Sequence, residues 1–109
     1  MTEAELRERL PSAWSERTAT TWRADDPARG QCSVTALVTQ ELLGGDILKT
    51  RVGGAWHFYN RVAGALLDLT AGQFAAPIDY DDVPSGREEA IADTSTPQVL
   101  ALREALLNP

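Results

Sequence analysis

The sequence predicts an α+β fold: a central cysteine-bearing helix packed on a small antiparallel β-sheet, with further helices at the N- and C-terminal ends. Three observations carry this expectation. From Ser33 to Leu43, Val34, Leu37, Val38 and Leu42 recur at helical spacing, with Thr35, Thr39 and Glu41 between them. Three strand-like runs follow, Asp46 to Val52, Ala55 to Val62 and Leu66 to Thr70; Gly53-Gly54 and Ala63-Gly64 separate them, as in a meander with tight turns. The 109 residues, 43% hydrophobic and 24% charged, suffice for one core and not two, so residues 1-109 read as a single domain.

At the N-terminus, Thr2 is a helix cap and Glu5 its capping-box partner, which predicts a helix over Thr2 to Leu10 that Pro11 stops or redirects. Ser12 to Arg23 reads as a short helix followed by an irregular approach, with Trp14 and Trp22 as packing residues. Asp25-Asp26-Pro27-Ala28-Arg29-Gly30 is turn-forming and delivers the chain to Cys32. Gly44-Gly45 ends the central helix, because glycine takes the left-handed conformation that closes one. The acidic run Asp79-Tyr80-Asp81-Asp82-Val83-Pro84-Ser85-Gly86 reads as a solvated loop. Arg87 to Ala92 reads as a brief helix. Thr96 as cap, Pro97 at the first helical position, and Leu100, Leu102, Leu106 and Leu107 predict a docked C-terminal helix.

Composition narrows the function classes. A net charge of −6 argues against general nucleic-acid binding, which needs clustered Lys and Arg. No apolar run approaches the roughly 18 residues of a membrane span. The acidic start Met1-Thr2-Glu3-Ala4-Glu5 lacks a secretory pattern, so the cytoplasm is the expected compartment. One cysteine forms no internal disulfide, and one cysteine with one histidine falls short of the usual zinc set. Neither a metal nor another cofactor enters the reading.

The chemistry centres on Gly30-Gln31-Cys32-Ser33-Val34-Thr35-Ala36-Leu37. A thiol at a helix start lies beside unpaired N–H groups and the positive end of the helix dipole, which favour the nucleophilic thiolate. The same amides suit an oxyanion, with Gln31 as a side-chain donor. If Ala63-Gly64 are the two central residues of a hairpin turn, Tyr59 faces Asp68 and His57 faces Thr70. His57 and Asp68 are then diagonal neighbours on one face, with Cβ atoms about 5.5 to 8 Å apart. Asp68 orients His57, and His57 serves Cys32 as base and acid. Asn60 points to the opposite face and ranks below Asp68 as orienter; with Gln73 it is a candidate for polar support. Trp22 and Tyr59 are candidate substrate contacts.

These residues carry a resemblance. The glycine-glutamine-cysteine approach to a helix, the strand His57-Phe58-Tyr59-Asn60, and Asp68-Leu69-Thr70-Ala71-Gly72-Gln73-Phe74 resemble the YunG-like family of small bacterial proteins, with Gly44-Gly45-Asp46-Ile47-Leu48 joining them. The likeness covers roughly Trp22 to Phe74; the acidic stretch and C-terminal helix match in general character. At the level of fold, a helix-borne cysteine followed by histidine and aspartate on antiparallel strands is similar to transglutaminase-like and papain-like cysteine hydrolases, which act on amides and esters. That similarity implies a Cys-His-Asp acyl hydrolase or transferase, and the short chain favours a small or terminal acyl substrate. The alternative is a non-catalytic acidic binding or regulatory module with a protein partner. A third reading, redox sensing by Cys32, requires intermolecular pairing because there is no resolving cysteine.

Overall fold

The computed structural model describes residues 1-108. Four helices and four strands follow in the order α1 (Glu3–Ala13), α2 (Cys32–Leu43), β1 (Asp46–Val52), β2 (Ala55–Val62), β3 (Ala65–Leu67), a 3-10 turn (Ala71–Gln73), β4 (Val83–Pro84), α3 (Arg87–Ala92) and α4 (Thr96–Leu107). The fold is α+β, with α2 at its centre against β1, β2, α3 and α4.

The capping box forms on α1: Glu5 N–H donates to Thr2 Oγ1 at 3.2 Å, and Thr2 N–H donates to Glu5 Oε1 at 3.0 Å. Pro11 does not stop this helix, which continues to Ala13. Proline here removes a single helical hydrogen bond in the last turn. Leu6, Leu10 and Ala13 form one buried stripe that holds that turn on the core. The short helix expected after Ser12 is absent. Thr18 Oγ1 instead accepts from Ser15 N–H at 3.0 Å, and local bonds of this kind compete with helix. Trp14 packs as expected, and its indole N–H donates to Thr35 Oγ1 of α2 at 2.9 Å.

The strands pair antiparallel in the order β3-β2-β1-β4. Ala63 (φ 53°) and Gly64 (φ 80°) make the two-residue turn, and Val62 faces Ala65. β3 is shorter than the predicted strand and ends at Leu67, because the Asp68 side chain accepts from Thr70 N–H at 3.2 Å and bends the chain. Ile47 and Phe58 face the helices and join Leu37, Val34 and Leu102 in the core. Thr50, His57 and Tyr59 face the other way, towards the segment after β3.

That segment is a loop with Asp79 and Asp81 exposed, as its charge suggests, but it is also tied to the sheet. Thr50 Oγ1 donates to Asp79 O at 3.0 Å and accepts from Asp81 N–H at 3.1 Å, while Tyr59 OH donates to Asp82 Oδ1 at 2.7 Å. β4 then adds to the β1 edge, a position compatible with Pro84. The C-terminal helix is capped by Ser95 rather than Thr96, one residue earlier than expected. Val99, Leu102 and Leu106 form its buried stripe, whereas Leu100 and Leu107 are half-exposed. Among the described residues, no helix is long and apolar enough to cross a membrane.

The α2-to-β1 link gives a stability test. A Cβ on Gly45 (φ +80°) would lie 2.1 Å from the Arg61 carbonyl oxygen, whereas one on Gly53 (φ +58°) meets nothing within 4 Å. Gly53→Ala should cost about 1 kcal/mol from backbone strain alone, and Gly45→Ala clearly more. Urea denaturation of the two variants checks the order.

Candidate active site

Cys32 is the first residue of α2 and is half-buried. No side chain caps that helix end, so its first N–H groups remain free to favour an anion. The approach requires Gly30: φ is +73°, and a Cβ there would lie 2.0 Å from Thr21 Oγ1. Gln31 is fully buried, with 0% exposure. Its Oε1 accepts from Thr18 Oγ1 at 2.8 Å, which leaves Nε2 as a buried donor without a partner.

His57 is 3% exposed, and its Nε2 lies 2.7 Å from Asp68 Oδ2. The edge of Phe74 meets the imidazole at 4.8 Å between ring centres, with the planes at 84°. Cys32 lies near enough to the ring to help raise its pKa, and Nδ1 is the ring nitrogen that Asp68 leaves free. Asp68 accepts four hydrogen bonds. Oδ2 takes His57 and Tyr80 OH, the latter also at 2.7 Å, while Oδ1 takes Thr70 N–H at 3.2 Å and Thr70 Oγ1–H at 3.3 Å.

These contacts set the charges. Burial works to lower the His57 pKa, but the hydrogen bonds and charges of Asp68 and Cys32 outweigh it and raise it to about 9. Burial works to raise the Asp68 carboxyl, and the bonds from His57 and Tyr80 overcome it, holding the group below its ordinary value. Near neutral pH the pair is therefore imidazolium and carboxylate. Burial, followed by the Asp68 bond, pushes the Tyr80 phenol up, so it remains a proton donor.

A family model described as "YunG protein" matches residues 2-109. The chain belongs to the YunG family. A curated relative, "Uncharacterized protein YunG" of Bacillus subtilis (strain 168), is 50% identical over 96 residues, covering 88% of this chain and 84% of the relative. No solved structure matches.

The structure brings Cys32, His57 and Asp68 together and sets Gln31 and Gln73 beside the same turn. Gln73 bridges the two halves of the site: Oε1 accepts from Gly30 N–H at 3.4 Å, and Nε2 donates to Thr70 O at 3.1 Å and to Thr70 Oγ1 at 3.0 Å. Asn60 is employed elsewhere. It is buried, and Nδ2 donates at 3.0 Å to the Ala36 carbonyl, tying α2 to the sheet on the face opposite His57. Tyr59 is no surface contact either, being 1% exposed with its hydroxyl on Asp82. Trp22 is half-buried against the core, with its indole N–H buried and unpartnered. Tyr80 is the residue that sequence reasoning missed. A tyrosine set among aspartates, one position beyond Ile78-Asp79, was the available sign that one side chain of the run turns towards the sheet.

The linked pair has two pH windows. The raised His57 pKa contributes stability below its unfolded value of about 6.5, which is lost as pH rises through about 9. The lowered Asp68 pKa contributes above its unfolded value of about 3.9 and is lost as pH falls through the folded value. Wild type should lose on the order of 3 kcal/mol of unfolding free energy between neutral pH and pH 10, a loss absent from His57→Gln. Urea titrations across pH measure it.

Proposed function

We propose that this chain is a cysteine-dependent acyl hydrolase or acyl transferase acting on an amide or ester of a small or terminal substrate. One observation carries the reading: a single buried imidazole is held by Asp68 through Nε2 and lies near Cys32, which sits at an uncapped helix start and helps raise the imidazole pKa. In this reading Cys32 is the nucleophile, His57 the base and acid, and Asp68 the orienter. The order of cysteine helix, histidine strand and aspartate turn supports a papain-like or transglutaminase-like comparison by fold-level analogy. We place the reaction in the cytoplasm, where a lone thiol stays reduced.

The reaction proceeds in two stages. The Cys32 thiolate attacks the acyl carbon, forming the S–C bond, and the carbonyl oxygen becomes an oxyanion facing the Cys32 amide and Gln31 Nε2. The His57 imidazolium gives its proton to the leaving nitrogen or oxygen as the C–N or C–O bond breaks, leaving a thioester and a neutral imidazole. That imidazole takes a proton from water or an acceptor nucleophile, whose attack breaks the thioester and restores the thiolate–imidazolium pair. No redox partner is required.

A second reading is a non-catalytic acidic binding or regulatory module with the same fold. The net charge of −6 and the 3% exposure of His57 favour it, since a buried pair also serves as structure.

Alkylation separates the two. Under the enzyme reading, iodoacetamide labels Cys32 faster than a free thiol near neutral pH, and His57→Gln slows it about tenfold or more. Equal, slow labelling of both proteins, each shown to be folded by its melting curve, would instead select the binding module. Once a substrate is found, turnover must disappear in Cys32→Ala.

A further inference from the structure

We propose that Tyr80 is a positioning residue for this site, its hydroxyl fixing the Asp68 oxygen that meets His57. The inference rests on the acyl-transfer reading only for its consequence in catalysis. Tyr80 OH and His57 Nε2 both lie 2.7 Å from Asp68 Oδ2, so two donors from different parts of the chain locate one oxygen. The bonds from Thr70 reach the other oxygen, Oδ1, and are longer at 3.2 and 3.3 Å. A carboxylate torsion is soft and close to two-fold. Tyr80 therefore supplies the restraint that selects the orientation used by His57.

The surroundings of Tyr80 are built to hold that hydroxyl still. Its ring meets Tyr59 edge-on at 4.8 Å, with the planes at 72°. The residues on either side are fastened to the sheet, Asp79 and Asp81 through Thr50, and Asp82 through Tyr59. The acidic segment thus acts as a strap whose single inward aromatic donor ends on the candidate triad. The groups facing the His57–Asp68 pair are Cys32 from α2, Tyr59 from β2 and Tyr80 from the strap, with Asp81 and Asp82 behind Tyr59. Among these, Tyr80 is the one that touches Asp68 without touching the reacting atoms.

The chain has a single histidine, so its imidazole titration by NMR is read without assignment. Tyr80→Phe removes one oxygen and keeps the ring packing. The His57 midpoint should fall by about one pH unit as Asp68 loosens. In Asp68→Asn, which has no carboxylate to position, adding Tyr80→Phe should cause no further shift. An unchanged or raised midpoint in Tyr80→Phe would overturn the proposal, as would equal shifts in both backgrounds. Alkylation of Cys32 in the same proteins keeps the two ideas apart. If wild-type Cys32 reacts no faster than a free thiol, the acyl-transfer reading fails, and the histidine midpoints still decide the role of Tyr80.

Discussion

A carboxylate with 3% of its side chain exposed is the constraint on which the rest of this structure depends. Removing such a charge from water costs several kcal/mol unless hydrogen bonds replace the hydration shell. Asp68 meets that demand with donors from three places: His57 on the sheet, Thr70 in its own turn, and Tyr80 in the acidic segment. Each donor fixes a stretch of chain. β3 ends where Asp68 turns back onto Thr70, the 3-10 turn follows, and the acidic segment lies across the open sheet face to bring Tyr80 within reach.

The two faces of β2 divide the labour. Phe58 and Asn60 secure α2, one through apolar contact and the other through the Ala36 carbonyl, a bond that takes up a backbone oxygen in the helix interior. His57 and Tyr59 face the strap and carry the polar network. Because α2 is held by the first face and Asp68 by the second, Cys32 and its partners are placed by two separate sets of contacts. Gln73 joins them by spanning from Thr70 to Gly30.

Much of this was legible in the sequence because local rules and register agree. Helical spacing located α2, paired glycines bounded the strands, and the count across Ala63-Gly64 gave the observed pairing as far as Asn60 with Leu67. The expected pairing of Tyr59 with Asp68 and of His57 with Thr70 lies beyond the end of β3, and Asp68 reaches His57 from the turn that follows. What escaped was set by distant contacts. Pro11 looked like a stop, but burial of Leu6, Leu10 and Ala13 carried the helix past it. The aspartates at 79 and 81 are exposed as their charge implies, but the anchoring of this segment to Thr50 and Tyr59, some twenty to thirty residues away in the chain, was not legible. Tyr59 was read as a substrate contact, and Asn60, though expected on the opposite face from His57, as polar support. Their actual duties, on Asp82 and the Ala36 carbonyl, follow from which face each occupies and what covers it.

The hairpin at Ala63-Gly64 has a bearing on how this chain can vary. Both residues sit at positive φ, and Ala63 is there without glycine's freedom. Glycine or asparagine at 63 would relieve that strain and leave every partner across the strands unchanged. One added or lost residue is a different event, because it would exchange the two faces and turn His57 and Asp68 away from each other. The turn therefore tolerates changes of identity and forbids changes of length, so its residue count, more than its composition, should mark the relatives that keep this site.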